Sequence, residues 1–70
     1  MKSNAHGLPG RIRSARKRAK LSQQGLAAAA KVTTGAVYRW ESGRAVPTIA
    51  HLAAVAKVTR TPFAKLSGVA

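Results

Sequence analysis

The hydrophobic residues of this chain recur at the spacing of short α-helices. In the central stretch, residues 21–47, apolar side chains fall three and four positions apart on both sides of a break at residues 31–33. This spacing predicts two amphipathic helices that share one core across a tight turn. Ala27 is small where the second of these helices would cross the first, and Val32 can fill the turn. No segment shows the alternation of a half-buried strand.

Capping residues, prolines and glycines mark where the predicted helices begin and end. The pattern predicts five of them: residues 10–20, 23–30 and 34–42, a fourth after residue 48 and a fifth from residue 62. Ser22 and Thr33 stand at N-cap positions, and Gly43 can end the third helix in a left-handed conformation. Thr61, followed by Pro62, is expected to cap the fifth helix. The expected fold class is therefore all-α, with five helices.

Apolar spacing also predicts which residues of the last two helices face the core. The expected inward residues are Ile49, Leu52, Val55 and Ala56 in the fourth helix, and Phe63 and Leu66 in the fifth. Residues 1–8 lack periodicity and are expected to form a flexible arm, and residues 68–70 a frayed end. Between these ends, residues 9–67 are expected to form a single domain.

Charge points to the kind of partner. Thirteen Lys and Arg residues oppose one acidic residue, which gives a formal net charge of +12 on 70 residues. A small domain needs far less charge to stay in solution, so the natural partner is a polyanion. The apolar fraction of 46% is too high for a disordered polybasic tail.

The residue types that other functions need are scarce. Zero cysteines exclude disulfides and thiolate metal sites and fit a reducing bacterial cytoplasm. His6 and His51 stand alone, so neither a metal nor a cofactor is expected. One Glu without Asp or Cys cannot form a catalytic constellation, so an enzyme is not expected. No apolar run approaches the roughly 20 residues of a membrane span, and residues 1–10 lack a signal-peptide core.

The ordered motifs resemble the lambda-repressor-like, Cro-type helix-turn-helix family, also called XRE-type, over about residues 8–66. The matching pieces are IRSARKRAKLSQQGLA, VTTGAVYRWESGR followed by Pro47, and LAAVAKVTRTPFAKL. Ser-Gln-Gln alone would be weak evidence. The ordered set of a helix-1 arginine, SQ-x-x-LA, the V-Y-R-W-E-S-G segment and the later proline is much more specific. The resemblance implies a compact five-helix DNA-binding domain whose third helix reads DNA.

The resemblance also implies roles for particular residues. The implied DNA-binding residues are Ser22, Gln23, Thr33, Thr34, Gly35, Tyr38, Arg39, Ser42 and Arg44. Arg39 is the candidate for base readout, because a guanidinium can contact O6 and N7 of guanine together. Arg16 and Glu41 are implied to form a structural ion pair. Gly35 cannot read a base, so its position either allows close approach of the DNA backbone or is filled by Tyr38 or a thymine methyl group.

The expected function is sequence-specific binding of double-stranded DNA, most simply by a small phage, plasmid or operon repressor. It would occupy a near-palindromic operator as a homodimer, with the dimer surface expected on residues 58–66 and the C-terminal end. Lys31 and Arg60 depart from the family pattern, because glycine commonly closes the preceding helix there. The alternatives are an antitoxin with a protein partner, a cationic membrane-active protein and a non-specific nucleic-acid binder.

Overall fold

The computed structural model describes residues 7–68, in which every regular element is an α-helix. The helices are α1 (Leu8–Arg18), α2 (Gln23–Ala30), α3 (Thr34–Ser42), α4 (Ile49–Thr59) and α5 (Phe63–Ser67). The predicted all-α fold with five helices is confirmed. Most of the predicted arm, residues 1–6, and residues 69 and 70 of the predicted frayed end lie outside the described residues.

Short polar side chains fix the starts of three helices. The hydroxyl oxygens of Ser22, Thr33 and Thr48 each accept a hydrogen bond from the backbone N–H three residues further on, at 2.9, 3.0 and 3.1 Å. Each bond satisfies one of the N–H groups that lack a partner in the first helical turn. Helices α2 and α3 therefore begin at the predicted residues.

Helix α1 lies two residues closer to the N-terminus than the periodicity predicts. Gly7 is its N-cap and Pro9 lies in its first turn. Leu8, which the sequence pattern assigns to the arm, is the first helical residue and packs against the core. At the other end Lys20 turns to a positive φ, and its N–H bonds the Lys17 carbonyl at 2.9 Å. This turn ends the helix before the residue at which the pattern places its end.

Thr61 does not cap α5 as predicted. The N-cap is Pro62, and the hydroxyl oxygen of the buried Thr61 lies 3.0 Å from that of Thr59. The Thr59 hydroxyl in turn donates to the backbone oxygen of Val55 at 2.7 Å. The two hydroxyls thus satisfy each other inside the link between α4 and α5, because a buried polar group left unpaired would be costly.

The core is built from the inward faces of all five helices. Its buried residues are Ile12, Ala15, Leu26, Ala27, Val37, Trp40, Leu52, Val55, Ala56 and Leu66. Helix α1 contacts α3, α4 and α5, and α2 contacts α3 and α4. This packing holds α3 between α1 and α2 and leaves its remaining face to solvent.

Two residues predicted to face the core are exposed instead. Ile49 is 73% exposed and Phe63 39% exposed. Each is the first residue of its helix. Because Cα–Cβ bonds tilt toward a helix N-terminus, a side chain in the first position points past the end of the helix and away from the core. The apolar spacing is correct, but the helix has no preceding turn on which these side chains could lie.

Basic residues occupy three left-handed positions after helices. Lys20, Lys31 and Arg60 have φ values of 62°, 61° and 56°. Lys31 and Arg60 are the positions at which the family pattern favours glycine, and Lys20 is a third that the pattern does not reveal. A left-handed conformation costs a residue with a Cβ atom roughly 1 kcal/mol, so each position reduces the stability of the fold.

Replacing Lys31 by glycine is expected to raise the free energy of unfolding by up to about 1 kcal/mol, because glycine adopts this backbone without a Cβ clash. Urea unfolding of Lys31→Gly measures the change. Lys57→Gly, inside α4, is the control and should lower stability by about the same amount. A lower urea midpoint for Lys31→Gly than for the unchanged protein would contradict the strain argument.

Candidate nucleic-acid interface

A three-residue turn places the start of α3 at the surface. Lys31 ends α2 in its left-handed conformation, and the N–H of Val32 bonds the Ala27 carbonyl at 2.9 Å. Val32 packs against the core, and Thr33 then caps α3. Since both ends of the turn are fixed by hydrogen bonds, the start of α3 is held at the surface in a defined orientation.

The solvent face of α3 carries most of the residues implied to bind DNA. Val37 and Trp40 are buried and hold the other face against the core. The exposed implied residues of α3 and its flanks are Thr33, Thr34, Gly35, Tyr38, Arg39, Ser42 and Arg44. Those within the helix recur three and four positions apart, so they share one face. The structure therefore brings these seven residues together.

The guanidinium of Arg39 folds back over Gly35. A Cβ atom on Gly35 would lie 3.2 Å from Nη1 of Arg39 and 3.9 Å from the Thr33 hydroxyl oxygen. The space that we expected DNA or Tyr38 to fill is thus occupied by Arg39 itself. Because residue 35 has no side chain, the guanidinium of Arg39, with its five N–H donors, can lie beside the exposed first turn of α3. The sequence pattern identifies both residues but not their contact.

Tyr38 and Arg44 form a second contact on this face. The Cζ atom of Arg44 lies 5.9 Å from the centre of the Tyr38 ring, within the range of a cation–π interaction. Gly43, at φ 80°, turns the chain back so that the N–H of Arg44 bonds the Arg39 carbonyl at 2.9 Å. The same carbonyl accepts the Ser42 hydroxyl at 3.2 Å. These bonds fix the backbone that carries Arg44 next to the end of α3.

The side chains of Arg16 and Glu41 form a two-point ion pair between α1 and α3. Nε and Nη2 of Arg16 lie 2.6 and 3.0 Å from the two carboxylate oxygens of Glu41. The side chains are only 11% and 5% exposed. Nη1 of Arg16 also donates to the Leu21 carbonyl at 2.9 Å. One guanidinium therefore joins α1, the turn that follows it and α3.

Pairing also changes the titration of Arg16. The hydrogen bonds that the guanidinium donates to Glu41 raise the pKa of Arg16; burial opposes this effect, and the carboxylate charge adds to it. A raised pKa means that the folded protein holds the proton more tightly than the unfolded chain. The stabilisation is thus fully present below the ordinary arginine pKa and is lost only as the pH rises through the raised value.

A groove lies beside the ion pair, between α1, the start of α2 and the end of α3. It has a volume of about 310 Å³ and is lined by Arg13, Arg16, Gln23, Tyr38, Glu41 and Ser42. The side-chain amide of Gln23 donates to Glu41 at 3.2 Å. An amide has two N–H donors, so this bond leaves Gln23 a second one for a phosphate. Ser22 is exposed at the same helix start.

Arg13, which the family resemblance does not place among the DNA-binding residues, also lines this groove. It lies three positions before Arg16 on α1 and is exposed. Residues three apart on a helix share one side, so the spacing could have predicted that Arg13 accompanies the ion-paired arginine. With Glu41 neutralised by Arg16, Arg13 gives the groove a net positive charge.

Comparison with known proteins adds one result. The family model described as helix-turn-helix matches residues 12–66, from α1 into α5. Neither a curated protein nor a solved structure matches the chain significantly. Among residues 7–68, no group of three or more His, Cys, Asp or Glu side chains could hold a metal ion. No helix in that range is long and apolar enough to cross a membrane.

Arg16→Ala is expected to lower the free energy of unfolding by about 3–5 kcal/mol, because the Glu41 carboxylate would stay buried without its partner. Urea or thermal unfolding measures the loss. Arg18→Ala is the matched control, since Arg18 is exposed on the same helix. Equal shifts for the two variants would show that the ion pair does not hold the helices together.

Proposed function

Because the chain belongs to the lambda-repressor-like, Cro-type (XRE-type) helix-turn-helix family of DNA-binding transcription regulators, we propose that it is a small repressor that occupies its operator. Helix α3 enters the major groove, and its exposed residues contact bases and phosphates. The observation that carries the proposal is the position of the Arg39 side chain, whose guanidinium lies over Gly35 at the exposed start of α3. From there it can reach a guanine.

The charge distribution supports this proposal. The chain has a net charge of +12, and its single acidic side chain, Glu41, is 5% exposed and paired. No exposed carboxylate side chain therefore repels DNA phosphates. The exposed Ser22 and Thr33 stand at the starts of α2 and α3, where unpaired backbone N–H groups attract an anion. Arg44, held beside Tyr38, adds a charged contact at the other end of α3.

A two-fold dimer completes the proposed mode of action. The described part of a single domain is 31 Å long, which is less than one helical turn of DNA (about 34–36 Å), so a site whose half-sites lie one turn apart needs two copies. We place the contact between them on residues 58–66, where Phe63 is exposed next to the exposed Arg60. Repulsion between the two basic copies keeps this contact weak until DNA neutralises them.

Selection of bound fragments from random duplex DNA tests the function directly. We expect one enriched near-palindromic sequence with half-site centres about one helical turn apart. Footprinting on the enriched site and transcription from an overlapping promoter then measure occupancy and repression. An unenriched pool would show that binding does not depend on sequence, and unchanged transcription at full occupancy would contradict the repressor role.

Arg39→Ala is expected to weaken binding to the selected site by about 1–3 kcal/mol, because a two-point guanine contact is lost. The preference should relax mainly at one base pair per half-site, with a much smaller change on random DNA. Gel-shift titrations on both DNAs measure these effects. Arg44→Ala is the control and should weaken both complexes alike. Equal losses on the two DNAs for Arg39→Ala would identify Arg39 as a phosphate contact.

Gly35→Ala is expected to separate stability from specificity. Alanine in place of a helical glycine should raise the free energy of unfolding by about 0.5–1 kcal/mol. The new methyl group would displace the Arg39 guanidinium, whose flexible end lies 3.2 Å from the added Cβ atom. Guanine discrimination should therefore fall while thermal stability rises. Unchanged discrimination in the variant would show that Gly35 does not position Arg39.

The free protein is expected to be largely monomeric in sedimentation experiments, while its gel-shift titration on the selected site should be cooperative. Phe63→Ser should reduce cooperativity without affecting binding to a half-site. Ile49→Ser is the control, since Ile49 is a more exposed apolar residue outside the proposed contact. Full affinity of one copy on a single half-site, or a larger effect of Ile49→Ser, would rule out this dimer arrangement.

A further inference from the structure

Helix α5 carries part of the proposed dimer contact but has few attachments of its own. Of its five described residues, only Leu66 is buried. Pro62, its N-cap, has no polar side-chain atom that could cap the first turn. An isolated helix of this length is unstable in water, so contacts with the rest of the domain must hold it in place. The position of α5 relative to α3 therefore depends on what binds its other end.

Arg11 of α1 caps the C-terminal end of α5. Its Nε and Nη2 atoms donate to the backbone oxygens of Leu66 and Ser67 at 2.8 and 3.0 Å. The last carbonyl groups of a helix have no partner within it, and a cation beside them also interacts favourably with the helix dipole. The guanidinium is half-buried and joins residues 55 and 56 positions apart in the chain. This two-point contact attaches the end of α5 to α1.

Gly68 provides the space in which the Arg11 guanidinium lies. It ends α5 at φ 85°, and a Cβ atom on it would lie 2.6 Å from Nη2 and 2.7 Å from Cζ of Arg11. Real Cβ atoms do not approach other atoms this closely. A side chain at this position would therefore displace the guanidinium and also strain the backbone. Gly68 and Arg11 thus form one unit, which neither end of the sequence reveals by itself.

Helix α1 connects this unit to α3. Arg16, five positions after Arg11, makes the two-point contact with Glu41 of α3. Five residues correspond to about 7.5 Å along a helix axis and about 140° around it, so the two guanidinium groups leave α1 toward different neighbours. Ile12 and Ala15, which lie between them, are buried in the core. One well-packed helix therefore carries both attachments, to α3 and to α5.

We propose that Arg11 is a positioning residue that fixes the dimer contact on residues 58–66 relative to α3 and thereby determines which spacing of half-sites the protein accepts. The dimer contact sets where the second copy lies, and α3 sets where each copy reads. A dimer discriminates between spacings only if these two surfaces are held at a constant distance and angle. The choice of spacing rests on the proposed binding of a dimer to an operator. The attachment of α5 by Arg11 does not.

Arg11→Lys tests the attachment without changing the charge of the protein. A lysine ammonium is a single point and lacks the fork of donors that spans two backbone oxygens. We expect the NMR backbone order parameters of α5 to fall from about 0.85 toward about 0.6, while those of α3 stay unchanged. Arg18→Lys is the matched control, since Arg18 is an exposed arginine of the same helix. Equal order parameters of α5 in the two variants would overturn the attachment.

Gel-shift titrations on operators of altered spacing test the proposed role. One base pair inserted between the half-sites moves them about 3.4 Å further apart and rotates them by about 35°. The unchanged protein and Arg18→Lys should lose about tenfold or more in affinity, because the second copy no longer reaches its half-site with the dimer contact intact. Arg11→Lys should lose about threefold or less, because a loosely held contact can follow the displaced half-site. Binding to a single half-site should be equal in all three proteins.

Gly68→Ala disturbs the same guanidinium from the other side and should relax the spacing preference as Arg11→Lys does. Because both substitutions break one contact, the double variant should relax the preference no further. An additive effect would show that Gly68 acts on α5 independently of Arg11, and would contradict the shared unit.

The outcomes separate this proposal from the proposed function. A spacing preference that Arg11→Lys leaves unchanged would overturn the role of Arg11 in the choice of operator. An equal loss of affinity on the half-site and on the full site would overturn it too, because Arg11 would then contact DNA or support the whole fold. If the unchanged protein bound no operator, or bound one without regard to spacing, dimeric operator binding and this choice of spacing would both be wrong. The order parameters would still decide whether Arg11 holds α5.

Discussion

The ion pair between Arg16 and Glu41 is the interaction on which the helix arrangement and the candidate interface both depend. It joins α1 to α3, and through Leu21 and Gln23 it also holds the turn and the start of α2. A buried pair gains little net free energy over an apolar contact, because desolvation offsets the attraction. Its larger effect here is positional and electrostatic: it fixes α3 and removes the only carboxylate side chain from a surface suited to a polyanion.

The high positive charge is accompanied by a cost in stability. Lys20, Lys31 and Arg60 keep left-handed backbone conformations that glycine would adopt more readily, at roughly 1 kcal/mol each. A domain of this size has only several kcal/mol of net stability. Each of these positions nevertheless places a cation on the surface, where glycine would place none. The sequence therefore combines a small free energy of unfolding with strong attraction for phosphate. Bound DNA would raise the free energy of unfolding again, because it binds only the folded protein.

Local signals account for what the sequence could predict. Ser22, Thr33 and Gly43 determine the limits of α2 and α3 through bonds within a few residues, so these helices begin and end as predicted. Ile49 and Phe63 were wrongly assigned to the core because periodicity does not reveal what lies beyond the first turn of a helix. The position of Arg39 over Gly35 depends on side-chain conformation, and the groove beside the ion pair depends on how α1, α2 and α3 pack. A linear pattern contains neither kind of information.

The two sides of α3 differ in how firmly their residues are held. Val37, Trp40 and Glu41 fix the helix through burial and charge pairing. On the solvent face, Arg39 only lies over a glycine and Arg44 only lies beside a tyrosine ring. Exposed contacts of this kind contribute little, so DNA can replace them at small cost. The helix is thus placed in advance while its long donors stay adjustable. In the proposed complex, specificity depends on how far Gly35 restricts Arg39 before DNA binds, since a donor already near its bound position loses less entropy on binding.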